Sequence, residues 1–371
     1  MTAVIRHRFR SAKPNGADLT KVSANPWNDD HEIIGSLTAS PYFGVGIDGA
    51  LGFDGTATVL GISPVTVGSN RVYTLTRDVY ATTIVVGSGV KIFAANWRVF
   101  ASVSITGAGS ALSFIHNDGN SAPTSVAGGS IIPGGPTPSG FFHATLSGLS
   151  NSISAPPNPW FVTSSAVAGG TGNASTANDG ATPSAPGMGG SGGGVSVHTQ
   201  GGYNGTGGGG MTTVASSSGY TFNDQLAGAV FSGATAGGNG SATGSGTVSN
   251  LNPCGGGGGA GAGPIVVAAP TIVDVRISCD GGRGGDAAIG TWFSGTGHSS
   301  AASGGGGGGG GVCIVVYNTR TDCSSSAAGG AGGAKAEDNA NAAGGFSSFA
   351  GNGGAGSNGR VLNYNLSSDG S

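Results

Sequence analysis

Long uninterrupted runs of glycine constrain this chain more than any other feature. The three longest runs span residues 207–210, 255–259 and 304–311. Glycine has no side chain to bury and loses more conformational entropy on ordering than any other residue, so an isolated run is expected to be a flexible linker. If this chain folds, its glycine runs must be ordered by contacts between backbones.

The overall composition excludes several classes of protein. Glycine accounts for 79 of 371 residues, about three times its usual share, and charged residues for only 8%. A formal net charge of -3 is too small for an acidic or basic disordered tail. The 16 prolines are too few for collagen, whose glycines also recur at every third position rather than in runs. No stretch reaches the roughly 18 apolar residues of a membrane helix, so we expect no membrane insertion.

Glycine and charge are distributed unevenly along the chain. Only 14 of the 79 glycines lie before residue 127, whereas 17 of the 31 charged residues do. We therefore expect residues 51–126 to form a β-rich neck with an ordinary core. Residues 127–371 are expected to form a glycine-rich distal domain that is ordered by its backbone.

Short runs of β-branched and aromatic residues predict strands in the neck. Residues 71–76 alternate with period two, as a half-buried strand does. Further strand-length runs, bounded by Gly or Asn, occupy 82–86, 90–93, 98–105 and 111–115. No helical period appears, so the sequence predicts an all-β protein with almost no α-helix. The succession of strands and glycine turns favours rungs stacked along an axis, and a β-sandwich built from hairpins is the alternative.

Apolar runs follow the glycine runs in the second half of the chain. Residues 265–267 follow one run, 312–317 follow another, and 360–366 close the chain. Linkers do not normally alternate with such runs. Extended left-handed helices with three residues per turn offer a solution, because chains without Cβ atoms can approach and exchange N–H···O=C hydrogen bonds. The pattern predicts a layered region of polyglycine II type.

Three parts of the chain resemble bacteriophage tail fibre and tail spike proteins. Residues 23–31, SANPWNDDH, are similar to a short segment near the N-termini of phage tail and fibre proteins. Residues 78–90, which contain DVY, IVV and GV in that order, resemble the start of a glycine-rich distal domain. The composition of residues 127–371 resembles the polyglycine-helix adhesin at the fibre tips of some T-even-like phages.

The resemblance implies a virion structural protein that attaches the particle to a host cell. Residues 1–50 would then be a short N-terminal anchor to other tail or baseplate proteins, through Trp27, Asn28 and His31. A Trp27 that packs on its own chain is the alternative. In the similar adhesins, loops that join the glycine helices bind a host surface receptor, either protein or glycan. Carried over to this chain, the candidate receptor-binding residues are the aromatics Tyr203, Tyr220, Phe222, Trp292 and Phe293, which could instead cover faces of the domain.

Other functions and assembly states stay open at this stage. A purely architectural virion component, such as a head fibre, decoration or collar protein, is the main alternative. A bacterial surface adhesin is disfavoured because polar residues follow Arg6, Arg8 and Arg10, where a signal peptide needs apolar ones. These arginines fit a partner-facing arm better than a nucleic-acid site. Such fibres are often homotrimers and tip adhesins can be monomeric, and no heptad seam decides between the two.

The four cysteines all lie in the glycine-rich half. No C-x-x-C pair and no histidine at ligand spacing accompanies them, so we expect no zinc or other metal. Cys254 and Cys313 each adjoin a long glycine run, which favours a disulfide between neighbouring layers. An even count allows three connectivities, and buried cysteines also serve as small hydrophobic residues.

No catalytic constellation is visible. A glycosidase needs two carboxylates beside the scissile bond, but glutamate occurs only at Glu32 and Glu337, in polar contexts. The six histidines are scattered, and matches to G-x-G-x-x-G are expected by chance in so glycine-rich a chain. We therefore expect no enzymatic activity and no cofactor.

Overall fold

The computed structural model of the chain describes residues 4–5, 31–32, 41–95, 97–127, 165–168, 195–199, 202–206, 209–212, 242–245, 254–289, 299–338 and 347–367. Within these ranges the secondary structure consists of 24 β-strands and one short 3-10 helix, Pro41–Phe43, with no α-helix. The prediction of an all-β protein is confirmed.

Two large sheets contain most of the strands, which are numbered in chain order. The first sheet comprises β3 (Ala50–Phe53), β6 (Val79–Val86), β8 (Val99–Gly107), β15 (Ile265–Ala268), β16 (Thr271–Val273), β19 (Val312–Tyr317), β20 (Thr319–Thr321) and β24 (Arg360–Asn365). The second comprises β4 (Val65–Val67), β5 (Asn70–Thr74), β7 (Val90–Phe93), β9 (Ser113–His116), β17 (Arg276–Ser278) and β21 (Ser324–Ser326). All pairings are parallel except that of β4 with β5.

Each turn of the chain contributes one strand to the first sheet and the next strand to the second. β6 is followed by β7, β8 by β9, β16 by β17 and β20 by β21. The strands of one turn pair in parallel with those of another, as in the pairs β6 with β8 and β7 with β9. Hairpins would pair antiparallel, so this topology is that of stacked turns rather than of a hairpin sandwich.

The turns after residue 254 are related by a constant spacing of 48 residues. Ile265 in β15 pairs with Cys313 in β19, and Arg276 pairs with Ser324 at the same offset. The equivalent turns before β17 and β21 both contain an aspartate at positive φ, Asp274 at 56° and Asp322 at 51°. This part of the protein is therefore built from a repeated structural unit.

The main hydrophobic core lies between the two sheets. Its fully buried isoleucines come from both halves of the chain: Ile84, Ile92, Ile105, Ile115, Ile265, Ile272 and Ile277. The expected neck and glycine-rich domain thus share a single core rather than having one each.

The first sheet is also buried on its other face. Phe43, Phe100, Val266 and Ile314 belong to a second hydrophobic cluster there, and the Tyr80 and Phe100 rings stack 5.2 Å apart. Burial on both faces explains why β15 and β19 contain apolar residues without alternation.

Ion pairs fix the start of β6 and β8. The guanidinium of Arg98 donates to Asp78 at 2.5 and 2.9 Å, and the Arg98 backbone N–H donates to the same carboxylate at 2.8 Å. The Asp48 carboxylate accepts hydrogen bonds from Arg77 and from the backbone N–H of Tyr80. The sequence DVY, noted above for its resemblance, therefore has a structural role here.

Six extended segments connect with the strands, and we number them in chain order. Segments 1 to 6 span residues 117–126, 254–264, 279–289, 303–311, 327–335 and 351–359. Segments 1, 3 and 5 hydrogen bond at every third residue: the N–H groups of Gly119, Ala122 and Ser125 donate to the carbonyls of Asp280, Arg283 and Asp286, and those of Gly281, Gly284 and Ala287 to Ala328, Ala331 and Ala334. Segments 2, 4 and 6 are bonded in the same manner, from Gly256, Gly259 and Ala262 to Ser303, Gly306 and Gly309, and from Gly304, Gly307 and Gly310 to Gly351, Gly354 and Ser357.

Consecutive segments run in opposite directions. The N–H groups of Gly305 and Gly308, in order along segment 4, donate to Gly285 and Gly282, in reverse order along segment 3. The same reversed order relates segments 2 and 3, 4 and 5, and 5 and 6. Each segment therefore bonds both to parallel and to antiparallel neighbours, which accounts for buried backbone groups that no strand pairing satisfies.

Glycine is required in these segments because the backbones lie close together. A Cβ atom on Gly332 would lie 1.8 Å from the carbonyl oxygen of Gly353, and one on Gly308 would lie 1.9 Å from that of Ala260. Among the described residues, no glycine after Gly109 has a positive φ. The glycines of segments 2 to 6 thus allow neighbouring backbones to lie close together, and they are not needed for turns.

Candidate functional site

Three of the five links between consecutive segments, those that follow segments 1, 3 and 5, leave the same end of the six segments, and we call these three the connections. They span residues 127–253, 290–302 and 336–350. At this end Cys254 and Ala288 form an antiparallel bridge, and Gly256 donates its N–H to the carbonyl of Ser303. The strands of the two large sheets lie at the opposite end. We call the end with the connections the loop end.

Strands from all three connections pair with one another at the loop end. One small sheet has the order β12 (Gly202–Thr206), β11 (Val195–Thr199), β23 (Ser347–Ala350), and another has the order β14 (Ala242–Ser245), β18 (Ser299–Ala302), β22 (Ala336–Asp338). All of these pairings are antiparallel. The three connections are therefore joined to one another by strand pairing rather than being three independent loops. β10 (Ser165–Ala168) and β13 (Gly209–Thr212), both from the first connection, form a separate pair.

The two small sheets meet through small apolar residues. Ala301 of β18 and Ala350 of β23 are 0% and 3% exposed and form a hydrophobic cluster. Since residues alternate between the faces of a strand, one face of β23 is the one directed at the other sheet. The opposite face of the sheet β12–β11–β23 is the candidate recognition face.

Strand register assigns residues to the recognition face. His198 pairs with Tyr203 on one side and with Ser347 on the other, and Ser196 pairs with Phe349. Residues directly opposite each other share a face of an antiparallel sheet. His198, Tyr203 and Phe349 therefore lie on the face opposite to that of Ala350.

The recognition face has a distinctive chemistry. The residues that the register assigns to this face carry no charged group: Ser196, His198, Tyr203, Gly205, Ser347 and Phe349. Aromatic rings supply large rigid contact areas, and hydroxyl and imidazole groups supply hydrogen bonds. Such a surface suits recognition by shape, ring stacking and hydrogen bonding rather than by charge.

Two carboxylates at the loop end bond to the sheet β12–β11–β23 and to the segments that support it. The Glu337 carboxylate accepts hydrogen bonds from the Ala350 N–H at 2.7 Å and from Lys335 at 2.9 Å. Asp286 accepts from Arg283 and from the N–H of Ala334. The Arg283 hydrogen bond in particular lowers the pKa of Asp286.

Of the five expected receptor-binding residues, one lies within the described part of the chain. Tyr203 lies in β12, whereas Tyr220, Phe222, Trp292 and Phe293 lie outside the described residues, in the sequences of the first and second connections. His198 and Phe349 were missed by sequence reasoning. Only the register of β11 with β12 and β23 shows that both residues share a face with Tyr203.

The N-terminal anchor residues are only partly described. His31 pairs with Ile5 in a two-stranded antiparallel sheet of β1 (Val4–Ile5) and β2 (His31–Glu32). Trp27 and Asn28 lie outside the described residues.

The structure places the two cysteines of the predicted disulfide, Cys254 and Cys313, at opposite ends of the extended segments. Cys254 lies at the loop end, whereas Cys313 pairs with Ile265 at the strand end. The 11 residues of chain from Cys254 to Ile265 span about 30 Å in an extended conformation, and a disulfide requires Cα atoms within about 7 Å. The residue that does lie beside Cys313 is Cys279.

One cluster contains the residue types of a hydrolase but not the required arrangement. The Ser278 hydroxyl donates to the Asp118 carboxylate at 3.1 Å, and His116 Nδ1 lies 3.2 Å from the same oxygen. Asp118 thus stands between Ser278 and His116, so the histidine is not placed to activate the serine. Burial raises the pKa of Asp118, but the adjacent His116 imidazole, with the hydrogen bonds from the Asp280 N–H and the Ser278 hydroxyl, outweighs it and lowers that pKa overall.

The described ranges contain no group of three or more residues that could hold a metal ion. They also contain no helix that is long and apolar enough to cross a membrane.

Comparisons of this chain with family models, curated proteins and solved structures found no match.

Proposed function

We propose that this chain is a structural protein of a bacteriophage virion that attaches the particle to the host cell surface. The observation that carries the proposal is the loop end, where strands from all three connections pair into two small sheets. These sheets, one of which has the recognition face, lie at one end of six segments that are joined by backbone hydrogen bonds. A receptor would be bound there by a surface of aromatic and polar uncharged residues. The chain is a binding protein in this proposal, and neither catalysis nor a cofactor is part of it.

We propose further that the six segments are polyglycine II-type helices in two layers, with segments 1, 3 and 5 in one and segments 2, 4 and 6 in the other. Hydrogen bonds at every third residue support a helix of three residues per turn. Negative φ angles and Cβ positions that would overlap carbonyl oxygens support close contacts between such helices.

The remaining parts of the proposal concern assembly. Residues 1–50, including Trp27, Asn28 and His31, would join the protein to other tail or baseplate proteins. The protein would be made in the host cytoplasm and act on the outer surface of the particle, as a homotrimer or a monomer. Neither nucleic acid nor membrane insertion has a role in this proposal.

The proposal is tested by binding of the purified, fluorescently labelled full-length protein to a panel of bacterial strains. The full chain is used because residues before 127 and after 253 share one core. We expect saturable binding to some strains, and the bound protein should block adsorption of a phage that carries this chain.

An architectural virion component is the second candidate, because backbone-bonded segments and stacked strands would also suit a rigid spacer. A folded full-length protein that binds no strain, and does not compete with the phage, would overturn the attachment function in favour of this one. Incorporation into particles without any effect on adsorption would support the same conclusion.

A further inference from the structure

Two cysteines meet where the extended segments join the strands. Cys279 is the first residue of segment 3, and Cys313 is the second residue of β19, directly after segment 4. The N–H of Gly311 donates to the carbonyl of Cys279 at 2.9 Å. Cys313 follows Gly311 by two residues, so this hydrogen bond brings the two cysteines into the same region of the core. Both residues are 0% exposed in the same core. The Cys279 thiol donates to the carbonyl of Ser326 at 3.6 Å and lies close enough to the Cys313 thiol for the latter to raise its pKa.

The hydrogen bond between Gly311 and Cys279 recurs at equivalent places in the neighbouring repeats. The bond from Gly311 to Cys279 recurs one unit earlier, from Gly263 to Asn117, and one unit later, from Gly359 to Ala327. Ile265 and Val361 occupy the positions equivalent to Cys313, as their pairing with it shows. The three levels thus contain Asn with Ile, Cys with Cys, and Ala with Val. Among these levels, only the middle one brings two thiols together.

We infer that Cys279 and Cys313 are a disulfide site, which joins segment 3 to the strand after segment 4 when the protein is exposed to a disulfide oxidant. The step is thiol–disulfide exchange with a small-molecule disulfide such as oxidised glutathione. Two thiols lose their protons and form the S–S bond, and the oxidant's S–S bond is reduced to two glutathione thiols. The new bond closes a loop over residues 279–313, which includes the whole connection 290–302.

Burial determines when this bond forms. It raises the pKa of the Cys279 thiol, and contact with Cys313 raises it further, so little thiolate is present in the folded protein. Since the thiolate is the attacking species, exchange is slow in the closed core. The bond therefore forms during folding or transient opening, and once formed it is protected from reductants.

The other two cysteines occupy different surroundings. Cys254 donates to the carbonyl of Gly255 at the loop end, and Cys323 donates to the carbonyl of Thr321. Neither occupies a position equivalent to Cys279 or Cys313 in the repeated unit. Both therefore serve as internal controls for nonspecific oxidation.

Peptide mapping tests the inference directly, because trypsin places each cysteine in a different peptide. Cleavage after Lys and Arg yields residues 99–276, 277–283, 284–320 and 321–335, with one cysteine each. The full-length protein is reduced, unfolded, refolded with oxidised and reduced glutathione, alkylated and digested without reduction. We expect peptides 277–283 and 284–320 to be joined, and the other two to be alkylated.

Variants separate this pairing from nonspecific oxidation. Cys279→Ala and Cys313→Ala should each abolish the joined peptide, whereas Cys254→Ala and Cys323→Ala should leave it unchanged. As a second readout, reduction of the oxidised wild-type protein should lower its midpoint of thermal unfolding by several degrees, with no such shift in Cys313→Ala. Four alkylated cysteines after oxidative refolding, or a different joined pair, would overturn the inference.

Discussion

A Cβ atom on Gly333 would lie 1.8 Å from the carbonyl oxygen of Gly285. The two residues belong to antiparallel partners of segment 4, since the N–H of Gly333 donates to Gly305 and that of Gly305 donates to Gly285. Gly333 is buried, and an added methyl group would collide with a backbone carbonyl, which cannot rotate away as a side chain could. The scaffold at the loop end therefore depends on the absence of a single methyl group.

We predict that Gly333→Ala lowers the free energy of unfolding by about 3 kcal/mol, because segments 3, 4 and 5 must separate to admit the methyl group. Denaturant unfolding of the full-length protein measures the change. Ala331→Ser, at an exposed position of the same segment, is the control and should alter stability by less than about 0.5 kcal/mol. Equal stability of the two variants would contradict close backbone packing.

Acid should destabilise the protein partly through Asp48. Hydrogen bonds from Arg77, followed by that from the Tyr80 N–H, lower the pKa of Asp48 despite its burial. In the unfolded chain an aspartate has a pKa of about 3.9, so protons bind the unfolded state more readily. The stabilisation by Asp48 is therefore present above about pH 4 and is lost as the pH falls through the lower pKa of the folded state.

The corresponding measurement is urea unfolding between about pH 6 and pH 2. Asp48→Asn should be less stable than the wild-type protein at pH 6 and should lose less stability on acidification. Val65→Thr, at an exposed position of β4, should keep the wild-type profile. Parallel curves for the wild type and Asp48→Asn would show that the ion pair with Arg77 does not stabilise the fold.

The turn at Asp322 offers a test of backbone conformation. Its φ of 51° is unfavourable for residues with a branched Cβ, whereas glycine adopts it freely. We predict that Asp322→Val lowers the free energy of unfolding by about 1 to 2 kcal/mol relative to Asp322→Gly. Thr321→Val, at an exposed strand position one residue earlier, should be nearly neutral, and a similar cost there would assign the effect to side-chain chemistry rather than to φ.

Binding to host cells should depend on the recognition face. Tyr203→Ala and Phe349→Ala should each weaken cell binding about tenfold, as expected for aromatic residues at the centre of an interface. Their thermal unfolding midpoints should stay close to that of the wild-type protein. Val65→Thr, in β4 of the second large sheet, should bind as the wild type does. Undiminished binding by both aromatic variants would move the receptor site to another part of the loop end.

The strands of the neck could be predicted from the sequence because alternation and glycine boundaries are local signals. The run predicted at 90–93 coincides with β7, and the run at 98–105 differs from β8 by one or two residues at each end. Segment 1 was harder to foresee. It contains a single glycine, Gly119, yet it bonds with segment 3 in the same three-residue pattern.

The 48-residue spacing and the cysteine pair were missed for one physical reason. Within a glycine run every position looks alike, so the run carries no information about which residue faces which neighbour. Counting from the aspartates of the two turns, Asp274 and Asp322, would have revealed the spacing. The same count aligns Ile265 with Cys313 and would have excluded Cys254 as the partner of Cys313.

The lengths of the three connections show what backbone bonding allows. Two connections have 13 and 15 residues, at 290–302 and 336–350, while the first has 127 residues, at 127–253. All three begin and end on segments that bond to one another through backbone groups. Among the described contacts, the ion pair of Lys335 with Glu337 joins a segment to a side chain of a connection. Insertions and substitutions can therefore accumulate in the connections while the framework beneath them keeps its geometry. If the proposed recognition function holds, its surface can change in evolution without any change in the fold that supports it.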